Sequence, residues 1–259
     1  MINTKTNSSL KIVFLLAILM GFYSCTKRKS FIFEKQNFAT DQLLDCKTND
    51  CASLEINLLK VVDDSQISST INHEIEKVAC AVLNTGDNQP QGTMKQAMQE
   101  FNSSYQKIST EFPDEIVPYE ANIDCTLGFQ CKDLISVVMD SYVFTGGAHG
   151  YGGVSYINFD PKTGKRISNK ALFKSYTEFK KYAEKVFRSK HEILESESIN
   201  STGFFFENDA YALPENIGFT DKEVILFYNP YEISSYADGA IEIKLNKEDV
   251  ASFFAFDIL

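Results

Sequence analysis

A glycine-rich run around His149 is the stretch of this sequence whose residue types are best suited to chemistry. Five glycines lie between residues 146 and 153. An imidazole can act as a general base or bind a metal, and Tyr142 or Asp140 just upstream could assist it. No serine or cysteine lies nearby in a recognisable nucleophile setting. The alternative is a structural role, in which the His149 ring bonds to the backbone and holds the turn. We favour this structural role.

The glycines themselves indicate a constraint on the backbone. Gly146 and Gly147 begin a connection between two predicted strands, where the chain needs positive φ or close backbone approach. The run contains no lysine and no helix follows it, so it is not a phosphate-binding loop. Asp160 begins an Asp-Pro-Lys-Thr-Gly segment that predicts a β-turn but lacks the ligand pattern of a calcium loop. We expect neither a metal nor a cofactor.

Other candidate groups give weaker signals. Tyr231 and Tyr236 belong to an aromatic cluster near the end of the chain, which is either a binding surface or a half-buried hydrophobic corner. His73 and His191 lie on segments rich in lysine and glutamate, and we expect both to be solvated.

The first 24 residues predict where the protein works. Two lysines precede an apolar run over residues 12–20, and Ser24 and Cys25 follow it. This order is typical of a bacterial signal peptide, with Cys25 becoming the first residue and carrying the lipid, such as palmitate. The run is shorter than the ~18 apolar residues of a spanning helix. Because Phe22 and Tyr23 are bulky for a lipoprotein cleavage site, an ordinary signal peptide or an uncleaved anchor is the alternative.

Charge indicates the class of partner. Residues 1–24 contain two of the 25 basic residues and none of the 35 acidic ones, so the mature chain has a formal charge near −12. Such a surface disfavours nucleic acid and attracts cationic partners. We expect a protein of the cell envelope, attached to a membrane by its lipid and facing the periplasm.

Five cysteines remain after Cys25, and an exported protein is expected to pair them. Cys46 and Cys51 bracket a polar turn. Cys125 and Cys131 flank a predicted hairpin loop, which would place them opposite each other at disulfide spacing. Cys80 is left over, either as a free thiol or as a competitor for one of these pairings.

The hydrophobic pattern predicts an α+β fold, with antiparallel sheets, helices packed on one side and two small intertwined subdomains. Alternation favours strands, and a 3.6-residue period favours helices. The predicted strands cover residues 52–62, 120–126, 132–145, 153–159, 223–228 and 240–245. The predicted helices cover residues 68–83, 94–112 and 176–194, with Asn246 capping a last one. The predicted divisions are a signal peptide (1–24), a tether (25–45), an N-terminal α+β domain (46–118) and a C-terminal α+β domain (119–259).

Three motifs follow one another in the second half of the chain. They are Phe-Thr-Gly-Gly-Ala-His at 144–149, Asn-x-Asp-x-x-Thr-Gly-Lys at 158–165 and Tyr-Asn-Pro-Tyr-Glu-Ile-x-x-Tyr-Ala-x-Gly at 228–239. In these motifs the chain resembles an uncharacterised extracytoplasmic domain. That domain occurs in RsiV-type lysozyme-sensing anti-sigma factors and as an accessory region of PdaC-type peptidoglycan deacetylases. The upstream part, with Ile71 and Asn72, resembles the companion domain, so the likeness covers residues 50–255.

The resemblance implies a fold and a compartment, and gives only an analogy for function. The deacetylase motifs Thr-Phe-Asp-Asp and His-x-x-x-His are absent from the sequence. We therefore carry two hypotheses. The first is a non-catalytic binding or sensing module for a lysozyme-like cationic protein or for peptidoglycan. The second is an unrecognised envelope hydrolase that uses His149, with Tyr142 or Asp140 as its partner.

Overall fold

The structure, a computed structural model, describes residues 30–43, 46, 51–86, 89–113 and 117–259. The predicted signal peptide and Cys25 lie outside this range. Within it, no helix is both long and apolar enough to cross a membrane.

Eight strands and four helices follow one another along the described part of the chain. The strands are β1 (Phe33–Ala39), β2 (Ser53–Val61), β3 (Glu120–Gln130), β4 (Ile135–Phe144), β5 (Tyr151–Phe159), β6 (Asn216–Phe219), β7 (Glu223–Tyr228) and β8 (Ile241–Asn246). The helices are α1 (Gln66–Val82), α2 (Met94–Glu111), α3 (Tyr176–Lys190) and α4 (Lys247–Val250). Polar caps define their starts: Ser65, Thr93, Ser175 and Asn246 each accept a backbone hydrogen bond from the first turn.

The strands form two sheets, which confirms the α+β prediction. The first has the order β1-β2-β3-β4-β5 and the second the order β6-β7-β8. Every neighbouring pair is antiparallel except β2 and β3, which are parallel. Helices α1 and α2 lie between β2 and β3 in the chain, and such a helical crossover returns the chain to pair in the same direction.

Strand β1 lies inside the segment predicted to be a tether, residues 25–45. It pairs along its whole length with β2, from Phe33 opposite Val61 to Ala39 opposite Glu55. Its central residues are exposed at the edge of the sheet, so its sequence lacks the apolar alternation that marks a strand. Likewise, β2 and β3 pair across the predicted boundary at 118/119, and residues Phe31–Leu259 form one compact unit.

Two hydrophobic cores lie on opposite sides of the first sheet. Helices α1 and α2 cover one face, where Ile75 and Phe101 pack with Ile123. The second sheet lies against the other face, where Asn158 Nδ2 donates to the Ile217 carbonyl at 2.7 Å. Helix α3 closes the second core through residues such as Phe187.

Cys46 and Cys51 form the predicted disulfide, with their Cα atoms 6.0 Å apart. Cys125 and Cys131 do not pair, because β3 continues to Gln130 with a bulge near residue 128 and places Cys125 opposite Met139. Cys80, the cysteine left over, is a free thiol that lies in the first core.

Candidate binding surface

The glycine-rich run forms the connection between β4 and β5. Gly146 has φ +94° and Gly147 has φ +88°, a region that side chains other than glycine rarely adopt. Gly150 is needed because the side chain of Tyr142 approaches the backbone closely: a Cβ at residue 150 would lie 2.5 Å from the ring of Tyr142. The connection therefore folds back so that its end packs directly on Tyr142.

His149 is exposed at the end of this connection. Its Nδ1 lies 3.0 Å from the carbonyl oxygen of Gly150, so Nδ1 donates and, in a neutral ring, Nε2 is left as the acceptor. The imidazole stacks on Tyr236, with ring centroids 4.0 Å apart and planes 16° from parallel. The Tyr236 hydroxyl donates to the same Gly150 carbonyl at 3.1 Å. His149 and Tyr236 are thus held together through one backbone oxygen.

Exposed tyrosines extend this stack into a surface. Tyr231, 54% exposed, has its ring centroid 5.5 Å from that of Tyr236. Its φ of +69° is unusual for a residue other than glycine. Tyr142 and Tyr151, also exposed, lie at the ends of the strands that flank the glycine connection. We call the group of Tyr142, His149, Tyr151, Tyr231 and Tyr236 the aromatic surface.

Asn229 holds the two parts of the aromatic surface in register. Its Oδ1 accepts from the Val154 N–H at 2.8 Å and its Nδ2 donates to the Val154 carbonyl at 3.0 Å. These bonds tie the loop that carries Tyr231 and Tyr236 to strand β5. The sequence indicated no role for Asn229 beyond its place in the motif. Its position before a proline was the feature that indicated a turn there.

Glu232 fixes the same loop from within. Its carboxylate accepts from the N–H groups of Asn229 at 2.9 Å and Glu215 at 3.0 Å. Burial raises the pKa of Glu232, and these two hydrogen bonds oppose the shift. The Glu232 carboxylate therefore stabilises this loop through its two hydrogen bonds.

A groove with acidic walls borders the aromatic surface. Asp124 on β3 lies directly opposite Asp140 on β4, and Glu55 on β2 lines the same groove of about 320 Å³. Lys35 makes an ion pair with Asp124 at 2.6 Å. Burial, and secondly the charge of Asp124, raises the pKa of Asp140. Tyr142 lines this acidic groove and also packs on Gly150, so it belongs to both features.

The structure does not assemble the residues of the hydrolase hypothesis into a catalytic arrangement. Among the described residues, His149 makes its hydrogen bond to Gly150 and not to Asp140 or Tyr142. Asp140 is instead paired in register with Asp124. No three histidine, cysteine or acidic side chains in the described ranges are grouped as metal ligands would be.

Asp160 lies away from the aromatic surface, at the other end of β5 from Tyr151. Its carboxylate accepts from the Lys162 N–H and the Thr163 hydroxyl, each at 2.9 Å, which confirms the predicted turn. Gly164 closes the turn with φ +70°, and a Cβ there would lie 2.5 Å from the Ile67 carbonyl. This motif therefore packs a turn against α1.

The prediction that His191 is solvated is wrong. Its ring packs at 4.5 Å from Phe187 and 4.9 Å from Phe204, and its Nε2 is buried without a hydrogen-bond partner in the described structure. Burial, and secondly Lys190, lowers the pKa of His191. Helix α3 ends at Lys190, one residue before His191. The lysine-rich face of the helix therefore did not predict where the side chain of His191 would lie.

Two family models match this chain. Residues 46–151 match the model described as deacetylase PdaC, and residues 165–248 match the model described as a protein of unknown function, DUF3298. Together the two matches indicate an extracytoplasmic domain of unknown specific function. The first match ends at Tyr151, and the second contains Tyr231 and Tyr236, so the aromatic surface joins the two matched regions. No curated protein sequence matches the chain.

Solved structures show the same fold. A crystal structure of a DUF3298 family protein from Pseudomonas aeruginosa PAO1 aligns with a TM-score of 0.63 and 19% identity, over 89% of this chain and 97% of that one. A DUF3298 family member from Bacteroides fragilis aligns with a TM-score of 0.63 and 17% identity, over 88% and 94%.

Proposed function

We propose that this chain, in which a PdaC-type domain is joined to a DUF3298 domain, is an envelope lipoprotein that binds a cationic protein such as a lysozyme. One observation carries the proposal: exposed aromatic rings border an acidic groove, and Tyr142 contributes to both. In this proposal the protein senses or captures its partner and catalyses no reaction.

The chemistry of the surface suits arginine and lysine side chains. A guanidinium group stacks favourably on tyrosine faces, and Tyr231 presents such a face to solvent. Carboxylates at Asp124, Asp140 and Glu55 line the groove that Tyr142 shares, and carboxylates accept hydrogen bonds from cations of a protein partner. Tyrosine is also enriched among residues that dominate binding energy at protein interfaces.

Net charge supports the same class of partner. The sequence carries 35 acidic and 25 basic residues, so long-range attraction would accelerate encounter with a basic protein. Peptidoglycan lacks this strong positive charge, and for that reason we rank it second. The lipid on Cys25 would keep the binding module next to the membrane and the cell wall.

The test is calorimetric titration of residues 26–259 with hen lysozyme at low and at physiological salt. We expect saturable binding at both, with weaker affinity at physiological salt because the Debye length falls to about 8 Å. Tyr231→Ala should weaken binding by at least about tenfold. Phe112→Ala is the matched control, because Phe112 is a similarly exposed aromatic residue, 46% against 54%, at the end of α2.

A second pair of variants tests the acidic groove. Asp140→Asn and Glu178→Gln each remove one carboxylate, and Glu178 lies on the exposed side of α3. A larger loss for Asp140→Asn places the partner at the acidic groove, whereas equal losses indicate long-range charge alone. Absence of lysozyme binding at physiological salt would contradict the proposal, and binding of soluble peptidoglycan fragments instead would replace the partner.

A further inference from the structure

Lys35 is a cation of the protein itself that lies at the acidic groove. Its Nζ donates to Asp124 Oδ1 at 2.6 Å and to the Cys125 carbonyl at 2.5 Å. Lys35 belongs to β1 and Asp124 to β3, with β2 between them. Because neighbouring strands lie about 4.8 Å apart, β1 and β3 are separated by roughly 10 Å, and the lysine side chain extends over β2 to make this contact.

The two facing carboxylates of the acidic groove are therefore unequal. Asp124 is paired with Lys35, whereas within the described part of the chain no hydrogen bond or ion pair holds the Asp140 carboxylate. The described residues that line the groove include a third acid, Glu55, and no lysine, arginine or histidine. Lys35 thus reduces the negative charge that the groove presents, and it does so at Asp124.

The ion pair between Lys35 and Asp124 is open to displacement. The Lys35 side chain is 39% exposed and the Asp124 side chain 50%. Exposed ion pairs are weak, because water and salt screen them. Strand β1 is also held by its ladder with β2 and by two hydrogen bonds between the Phe31 backbone and the Gln130 side chain, at 2.8 and 3.2 Å. Lys35 can therefore leave Asp124 while β1 stays in place.

We propose that Lys35 is an internal competitor for the cationic partner: its ammonium occupies Asp124 in the free protein, and a lysine or arginine of the partner displaces it on binding. This inference rests on the proposed function and concerns the same binding surface. Asp140 is available to a first cation, and departure of Lys35 opens Asp124 to a second. A partner with a single cation gains only the contact at Asp140, so the competition favours partners that present at least two cations together.

The test compares two variants of the full chain in detergent, each of which removes one positive charge. Lys35→Gln removes the competitor, and Lys60→Gln is the matched control, because Lys60 is an exposed lysine on the neighbouring strand β2. Both variants increase the long-range attraction to a basic protein equally. In calorimetry at physiological salt, we expect Lys35→Gln to tighten lysozyme binding about fivefold more than Lys60→Gln does. Lys35→Arg keeps the ion pair and should leave the affinity unchanged.

A double-mutant cycle tests whether Lys35 acts through Asp124. In an Asp124→Asn background, Lys35→Gln should tighten lysozyme binding no more than Lys60→Gln does, because the carboxylate that Lys35 occupies has been removed. The two facing carboxylates should also differ as single variants. Asp140→Asn should weaken binding more than Asp124→Asn, since Asp124 is already paired in the free protein. Urea denaturation of each variant verifies that it is folded.

Hexa-arginine is a second probe, which separates this inference from the proposed function. Equal affinities of folded Lys35→Gln and Lys60→Gln for both probes would overturn the inference, while lysozyme binding by the unaltered chain would still support the proposed function. A specific effect of Lys35→Gln on hexa-arginine, without lysozyme binding at physiological salt, would support the inference and contradict lysozyme as the partner. Absence of binding to either probe, by the unaltered chain and by Lys35→Gln, would overturn both.

Discussion

Two histidines in this molecule lie against aromatic rings, and they have opposite roles. His149 stacks on Tyr236 at the surface, and its Nδ1 is bonded to the Gly150 carbonyl. His191 packs on Phe187 in the second core, and its Nε2 has no partner in the described structure. The first ring contributes to a surface that a partner can reach, whereas the second contributes to packing.

The surroundings of an aromatic cluster decide what it does. Around Phe187, the rings of Phe206, Tyr211 and Tyr228 exclude water and fill the space between α3 and the second sheet. Around Tyr236, the neighbouring rings remain open on one side. Residue types are similar in the two clusters, so composition alone does not separate them.

The largest expected effect contrasts the two clusters directly. Phe187→Ala should lower the free energy of unfolding by about 3–5 kcal/mol, because it empties a fully buried aromatic site. Tyr236→Ala should change that free energy by no more than about 1 kcal/mol. Urea denaturation of both variants measures the difference. A loss for Tyr236→Ala as large as that for Phe187→Ala would show that the aromatic surface is a structural element.

A smaller expected effect separates the role of Asn229 in positioning the aromatic surface from its role in stability. Asn229 and Asn72 use the same device, since each side chain pairs with both backbone groups of one strand residue, Val154 and Val61 respectively. Replacing either by alanine should cost about 1–2 kcal/mol of stability. Only Asn229→Ala should also weaken lysozyme binding, by about tenfold. Equal binding by the two variants would remove Asn229 from the binding surface.

The smallest effect is a pH dependence at His191. The pKa of His191 is lowered in the folded state. At a pH below the ordinary histidine pKa of about 6.5, the unfolded chain therefore binds more protons than the folded chain. Stability is therefore expected to fall as the pH is lowered from 7.5 to 5.5. His191→Gln should have a flatter profile, measured as the change in urea midpoint between these pH values. An unchanged slope would show that the His191 ring is hydrated in the folded protein.

Much of the fold followed from local patterns in the sequence. The apolar period of Ile71 and Ile75 predicted α1, and the alternation through residues 135–139 predicted the buried part of β4. The Asp160 turn was predictable because the carboxylate bonds to its own backbone neighbours. These features depend on residues close together in the chain.

The candidate site was only partly predictable. The sequence singled out Gly146, Gly147, His149, Tyr231 and Tyr236, and the structure brings the histidine and both tyrosines together. It did not indicate the groove between Asp124 and Asp140, because each carboxylate belongs to a different strand.

By itself the sequence determined the α+β class, the three long helices and the hairpin strands, and it offered Cys46 and Cys51 as one candidate disulfide pair. These depend on short-range periodicity, caps and spacing, which the chain carries locally. Only the tertiary structure decided the parallel pairing of β2 with β3, the position of edge strand β1 and the separation of Cys125 from Cys131. The physical reason is that strand pairing joins residues far apart in the chain, and a bulge of one residue changes which side chains meet.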